Sequence, residues 1–260
     1  MKVVCIIPSR YHSTRFAGKP LADLCGKPMI QHVYERVVQS KTVSYAAVAT
    51  DDERIFAAVK KFGGQAVMTS PRHRSGTDRI AEAVAGLGLK EDDIVVNIQG
   101  DQPLFEPSQI DEVAGPLLAD PEISMATLIY KIVRGEEIFH PNAVKVVFDC
   151  EHFALYFSRA TVPYVRDRGQ RASYYKHHGI YAYRKAFLDT FTRLPEGKLE
   201  RLEALEQLRA LEHGYRIKVV ETLHDSVEVD TPEELARVSD IILRSQESEF
   251  RSQNEPSKVI

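Results

Sequence analysis

The sequence has no apolar stretch long enough to cross a membrane, for which a helix needs about 20 such residues; its apolar runs have the length of single strands. It also has little excess charge of either sign. A formal net charge of −3 over 260 residues gives no general attraction for nucleic acid, whose phosphates call for a basic surface. No nucleic-acid partner and no membrane insertion are therefore expected, although a local basic cluster can still hold an anionic small molecule. Cysteine is scarce: Cys5, Cys25 and Cys150 are an odd number without metal-ligand spacing. Two of them lie beside apolar runs, which suits buried reduced thiols and a cytoplasmic protein. Residues 1–8 could pass for a short secretion signal. Their apolar run is too short and lacks a small-residue cleavage site, so they read as a first strand. Internal repeats, low-complexity tracts and long linkers are absent too. What remains is an ordinary globular composition, 43% hydrophobic and 27% charged, with enough apolar surface for a large core.

The first half alternates short buried strands (3–7, 45–49, 65–68 and 94–98) with amphipathic helices. Met29, Ile30, Val33 and Val37 fall at helical spacing; Thr50-Asp51-Asp52-Glu53 offers a capping box for a helix that turns Ile55 and Val59 inward; another helix starts at Thr77. Such alternation predicts a parallel sheet covered on both faces, with ligands beyond the carboxyl ends of its strands. That rule directs attention to the segments after Ile7, Met68 and Ile98. The second half is less regular, with strands predicted at 125–129, 144–148, 154–157, 179–183, 217–220 and 226–229, and a polar loop at 164–176. Leu202, Leu205, Leu208 and Leu211 read as one helical stripe, with Glu200, Glu203, Glu206 and Gln207 partly on one face. A last helix runs from Pro232 to about Gln246. The expectation is one α/β domain over residues 1–246, with a smaller lobe at about 130–215 and a frayed polar tail at 247–260.

Three segments carry candidate chemistry. After the first strand, Pro8-Ser9-Arg10-Tyr11-His12-Ser13-Thr14-Arg15-Phe16-Ala17-Gly18-Lys19-Pro20 gathers cations, hydroxyls and a glycine at one strand-to-helix crossing. Cations and free backbone N–H groups there would neutralise phosphate charge. Neither a Walker loop nor G-x-G-x-x-G is present, and the composition also suits a solvated basic turn. In Asn97-Ile98-Gln99-Gly100-Asp101-Gln102-Pro103, a carboxylate at a strand end can hold a hard divalent cation, or simply serve a turn. In Val229-Asp230-Thr231-Pro232-Glu233-Glu234, Thr231 as N-cap, Pro232 at N1 and Glu234 at N3 explain helix initiation. Asp230 is left over, available as a second metal ligand. Together the three suggest metal-assisted nucleotidyl transfer.

Residues 6–15 with Gly18-Lys19-Pro20-Leu21 resemble the signature of the 3-deoxy-D-manno-octulosonate cytidylyltransferase (CMP-Kdo synthetase) family. So do His73-Arg74-Ser75-Gly76-Thr77-Asp78-Arg79, residues 97–103, 141–147 and 154–160, His177 with Gly179-Ile180-Tyr181, Leu205-Glu206-Gln207-Leu208-Arg209, and residues 229–233. These blocks lie in order along nearly the whole chain. The resemblance implies a Rossmann-like nucleotidyltransferase fold with a mixed, mostly parallel sheet and a smaller dimerisation lobe, working as a homodimer. Arg10 and Lys19 would bind the CTP phosphates, with Ser13 and Arg15 in the same loop. Ser75, Gly76 and Arg79 would lie near the cytosine or its ribose. Asp101 and Asp230 would hold Mg²⁺, and Gln99, Arg159, His177, Tyr181, Glu206 and Gln207 would line the sugar-acid pocket. The sequence departs from the family's pattern at Gln102, where glutamate is common, at Glu228, where glycine is common, and at His178, usually aliphatic; Ser9 and Phe16-Ala17 also differ.

The implied reaction is attack by the sugar's anomeric hydroxyl on the α-phosphorus of CTP, with pyrophosphate leaving. Positioning and electrostatics would supply most of the protein's share. Two other classes remain open on the residues. A metal-dependent glycosyltransferase would also use acidic ligands, but Asp101-Gln102-Pro103 is no D-x-D. A non-catalytic nucleotide-binding module would have little use for both Asp101 and Asp230.

Overall fold

Unbroken burial along Val3–Ser9 suits β1 to the interior of the sheet. The computed structural model describes residues 1–12, 16–167 and 169–254. After β1 (Val3–Ser9) come a 3₁₀ turn (Lys19–Leu21), a small hairpin of β2 (Asp23–Leu24) and β3 (Lys27–Pro28), α1 (Met29–Val37), β4 (Tyr45–Thr50), α2 (Glu53–Lys61), β5 (Ala66–Met68), α3 (Gly76–Ala85) and β6 (Ile94–Asn97). The second half comprises α4 (Ser108–Ala119), β7 (Met125–Lys131), β8 (Lys145–Phe148), β9 (Ala154–Ser158), β10 (Tyr175–Arg184), α5 (Lys185–Phe191), α6 (Lys198–Glu203), α7 (Leu208–Glu212), β11 (Lys218–Thr222) and α8 (Pro232–Asn254).

The main sheet runs β11-β7-β10-β6-β1-β4-β5. The pairs β1–β4, β1–β6, β4–β5 and β7–β11 are parallel; β10 alone runs against both its neighbours, β6 and β7. The fold is thus α/β on a mixed, mostly parallel sheet. From β1 the chain moves outward through β4 to β5, then returns to place β6 on the other side of β1. That reversal opens a crevice at the carboxyl ends of β1 and β6, where sheets of this kind bind ligands. Both faces are covered. One core gathers Val4, Ile6, Ile80, Val84, Phe157, Tyr183 and Leu208; the other gathers Cys5, Ile7, Ile30, Val33, Ile55, Val113 and Leu117. Beyond the main path, β8 pairs with the start of β10 and with β9, extending the sheet as a hairpin.

Several sequence expectations need correction. The helix after β4 is capped by Asp52, whose carboxylate accepts from Arg54 N at 3.0 Å; Thr50 closes β4 instead. The leucine stripe is broken at Ala204, which adopts a left-handed backbone (φ 49°), so α6 and α7 are separate short helices. Leu205 and Leu208 are buried, whereas Leu202 is 82% exposed. Strand β10 begins at Tyr175 inside the expected polar loop, because pairing with β7 and β8 satisfies its backbone although its side chains are polar. Residues 226–229 form no strand, α8 continues to Asn254 through most of the expected tail, and the Cys150 thiol is exposed.

Candidate active site

Two loops and one helix start meet in the crevice. The loop after β1 is folded back by a hydrogen bond from Gly18 N to Tyr11 O (2.9 Å), with Gly18 in the left-handed region (φ 73°) and pressed against the Tyr11 ring. A side chain at Gly18 would be both strained and crowded. The loop after β6 crosses β1 closely at Gly100, where an added Cβ would lie 3.1 Å from Pro8 O. The third contributor is fixed by a capping box as read from sequence. Glu234 N donates to Thr231 Oγ1 (3.2 Å), and the Glu234 carboxylate accepts from Asp230 N and Thr231 N (2.6 and 3.0 Å). Val229 is buried with Leu24, Met29 and Val238, and its N–H donates to Asp101 O at 2.9 Å. That single bond delivers Asp230 to Asp101, across 129 positions of sequence by their numbers.

The result is a carboxylate pair focused on one cation. Lys19 Nζ lies 2.7 Å from Asp101 Oδ2 and 3.1 Å from Asp230 Oδ1, the three side chains being only 12–27% exposed. Burial works against the lysine charge, but Asp101 and then Asp230 outweigh it and hold its pKa above the ordinary lysine value. Glu228 is the group sequence reasoning underrated, noting it only as a departure. Its carboxyl is pushed up to about 7, first by burial and then by the fields of Asp101 and Asp230, and it accepts from Gln102 Nε2 at 3.3 Å. The signal was its place two residues before Asp230, which in extended chain puts both side chains on one side.

Arg10, Lys19, Gln99, Asp101 and Asp230 line one cavity of about 400 Å³. Arg10 donates to His73 O at 2.9 Å, tying the β1 loop to the loop before α3, and Gln99 Nε2 donates to Asn97 Oδ1 at 3.1 Å. The expected contributors Ser13 and Arg15 lie outside the described residues. Ser75 caps α3 by accepting from Asp78 N (3.1 Å), and Gly76 packs close to Pro8, its Cβ position 4.0 Å from Gln99 Oε1. Arg79 is fully buried, donating to Thr69 Oγ1 (2.6 Å) and facing Asp51 (3.1 Å), so it braces the loop before α3.

The remaining expected residues come from β10, the end of β9 and the turn between α6 and α7, and Glu206 lines a different cavity from Gln99. Tyr181 is in register with Asn97, its ring 5.2 Å from that of His177, which packs edge-on against Phe157 at 5.3 Å. Burial and then His178 push the His177 imidazole down to about 3, so it is neutral at physiological pH, and it pairs with Thr127 Oγ1 at 2.9 Å. Burial likewise keeps the Tyr181 hydroxyl protonated. The break at Ala204 puts Glu206 and Gln207 in the turn between α6 and α7. Glu206 accepts from Thr77 Oγ1 at 2.5 Å, and burial first of all raises its pKa. Arg159 is anchored by the carbonyls of Glu203, Pro141 and Ala204 (2.6, 3.1 and 3.3 Å), which leaves part of its donor fork for a ligand. Among the described residues, Ser9 Oγ and Gln207 Nε2 are buried without a protein partner, unusual capacity that a polar ligand can use.

Comparison with known proteins agrees with this geometry. Residues 4–238 match the family described as Cytidylyltransferase. A 3-deoxy-manno-octulosonate cytidylyltransferase of Syntrophus aciditrophicus (strain SB) is 77% identical over 242 residues, 93% of this chain and 98% of that one. An 8-amino-3,8-dideoxy-manno-octulosonate cytidylyltransferase of Shewanella sediminis (strain HAW-EB3) is 56% identical over 236 residues, 90% and 96% of the two chains. The solved structure of a CMP:2-keto-3-deoxy-manno-octonic acid synthetase complexed with CTP superposes with a TM-score of 0.88 at 43% identity, covering 94% of this chain and all of that one. With its crevice at the β1/β6 reversal and its matches along nearly the full length, the chain belongs to the 3-deoxy-manno-octulosonate cytidylyltransferase family.

Proposed function

We propose that the protein transfers CMP from CTP to 3-deoxy-manno-octulosonate (Kdo), giving CMP-Kdo and pyrophosphate for lipopolysaccharide or capsule synthesis. The observation that carries this reading is the convergence of Lys19, Asp101 and Asp230 at the β1/β6 crevice, in a chain so similar to a synthetase complexed with CTP. Arg10 and Lys19 face the same cavity and supply positive charge for a triphosphate. Beside it, the neutral Tyr181 and His177, the Glu206 carboxyl and the part-used Arg159 fork offer donors and acceptors to a hydroxylated carboxylic acid.

Mg²⁺ fits the acidic pair. Asp101 and Asp230 already converge on a cation, and no larger cluster of His, Cys, Asp and Glu is spaced for a metal among the described residues. That suits magnesium, which is held by one or two carboxylates together with substrate phosphates. When bound it would neutralise phosphate charge and lower the pKa of a coordinated hydroxyl. The protein's own contribution is placement: Arg10 and Lys19 fix the triphosphate, and Gln99, Tyr181 and Glu206 orient the sugar's anomeric hydroxyl toward the α-phosphorus. No helix among the described residues is long and apolar enough to cross a membrane. All three cysteines are free, in keeping with a reducing cytoplasm.

Pyrophosphate release, measured with CTP, UTP, ATP or GTP in the presence and absence of the sugar, tests the reading. Release is expected to require the sugar and to favour CTP. Equal turnover of a purine triphosphate would remove the assignment, and consumption of a nucleotide-sugar instead would favour a glycosyltransferase. The homodimer belongs to the same proposal, supported by Val133, Phe139, Leu155 and Tyr164, which are 62–86% exposed in the lobe of residues 130–215. Such apolar side chains suit an interface. Sedimentation is expected to show a dimer that Leu155→Glu or Phe139→Glu weakens; a wild-type monomer at micromolar concentration would contradict it.

A further inference from the structure

A second cavity, about 550 Å³, adjoins the first at Asp230, which lines both, and it also reaches His177. Its volume is that of a small-molecule site, yet the transfer chemistry uses little of the rest of its lining. Gln102, directly after Asp101, is 1% exposed; its amide nitrogen donates to Glu228, and its Oε1 has no partner among the described residues. His178, 5% exposed, meets Asp225 through Nε2 at 3.3 Å, while its Nδ1 has no partner among the described residues. Glu137 Oε2 is likewise buried without one. In the lining, the carboxylates of Glu136, Glu137, Glu228, Asp230 and Glu234 outnumber the cations of Arg134, Lys176 and Arg237. Buried polar atoms are nearly always paired, and most of the unmatched capacity here is for accepting hydrogen bonds. The cavity therefore suits a group that donates them.

The names of the relatives give such a group. Some act on 3-deoxy-manno-octulosonate and others on the 8-amino-3,8-dideoxy sugar, so the two substrates differ at carbon 8, a hydroxyl in one and an amine in the other. Both donate hydrogen bonds, and the amine is also cationic at neutral pH. We propose that Gln102, His178 and Glu228 bind the donor-bearing carbon-8 end of the sugar acid and set the choice between hydroxyl and ammonium there. The proposal rests on the cytidylyltransferase reading. The reacting anomeric end then lies beside Asp230, and specificity is read by charge balance in the lining that adjoins it.

The test is the ratio of kcat/KM for the two sugars, in the full-length protein with saturating CTP; a sugar not turned over is measured as a competitive inhibitor. Glu228→Gln keeps shape and removes a charge, so it is expected to move preference toward the hydroxyl sugar by about tenfold or more. Lys176→Met removes one of the two cations beside Glu137 and Asp225 (2.7 and 2.8 Å), leaving Arg134, and is expected to move preference toward the amino sugar. The KM for CTP should change by less than about twofold in both, because Arg10 and Lys19 remain. If one variant fails to fold, the other still reads the ratio. A ratio unchanged in a folded variant, or equal losses for both sugars and CTP, would assign these residues a structural role and overturn the proposal. A wild-type protein that releases no pyrophosphate with either sugar would overturn the cytidylyltransferase reading itself.

Discussion

Replacing Asp101 or Asp230 by Asn is expected to lower turnover by about 100-fold or more, equivalent to about 2.7 kcal/mol of transition-state stabilisation. Both carboxylates reach the same ammonium, at 2.7 and 3.1 Å, so both can reach one cation, and each substitution keeps the side chain's shape while removing charge from it. Folding should survive, because three carboxyl groups crowd this spot. The fields of Asp101 and Asp230 help raise Glu228 to about 7, and removing one of them relieves that repulsion. CTP affinity measured without metal should be unchanged or slightly better, since the phosphates meet less negative charge. The informative experiment is turnover against Mg²⁺ concentration for wild type and both variants. Near-wild-type turnover at limiting Mg²⁺ in either variant would make that carboxylate structural, and the two-aspartate metal site would have to be abandoned.

Lys19→Ala is expected to raise the KM for CTP by about tenfold or more, through loss of a charge-assisted contact to phosphate. Arg10→Ala should act in the same direction. Their effects on stability should differ. An exposed loop substitution usually costs within about 0.5 kcal/mol, but Lys19 is the cation between Asp101 and Asp230 and is only 12% exposed. Its removal leaves those carboxylates facing each other and Glu228 uncompensated, which costs more than a surface change. Lys19→Ala should therefore melt below wild type without divalent cation and recover much of the difference when Mg²⁺ is added. The wild type should gain less from Mg²⁺. Thermal melts with and without Mg²⁺, beside CTP binding, separate the roles. Normal CTP binding in both Lys19→Ala and Arg10→Ala would leave the loop a solvated turn.

The parts of the site that could be read from the sequence were those written in local chemistry. Thr231, Pro232 and Glu234 announce a helix start whatever surrounds them, so Asp230 stood out as the residue the cap did not use. The apolar run at β1 and the alternation after it pointed to three strand ends, after Ile7, Met68 and Ile98, of which the first and last flank the crevice; the reversal that selects them is seen only in the strand order. What the sequence did not reveal depends on contacts between distant segments. Leu202, Leu205, Leu208 and Leu211 have helical spacing, but Ala204 takes a left-handed backbone, and that break puts Glu206 and Gln207 in the turn. Tyr175 to His178 are polar and looked like loop; they form strand because β7 and β8 lie ready to pair with them. Arg79 sits in a motif implied to be near the base, and its motif gave no sign that its guanidinium would be fully buried against Thr69 and Asp51. Glu137, Lys176 and Asp225 share no local pattern, so only the folded chain brings them together.

The central claim is that the sugar's anomeric hydroxyl displaces pyrophosphate from the α-phosphorus of CTP, and phosphorus NMR of a single reaction tests it most directly. With CTP, Kdo and Mg²⁺, the three triphosphate resonances should give way to one phosphodiester resonance of a CMP-sugar and the resonance of inorganic pyrophosphate, in one-to-one amounts. Formation of CDP and inorganic phosphate, of free CMP with pyrophosphate, or of no product while CTP stays bound would contradict it.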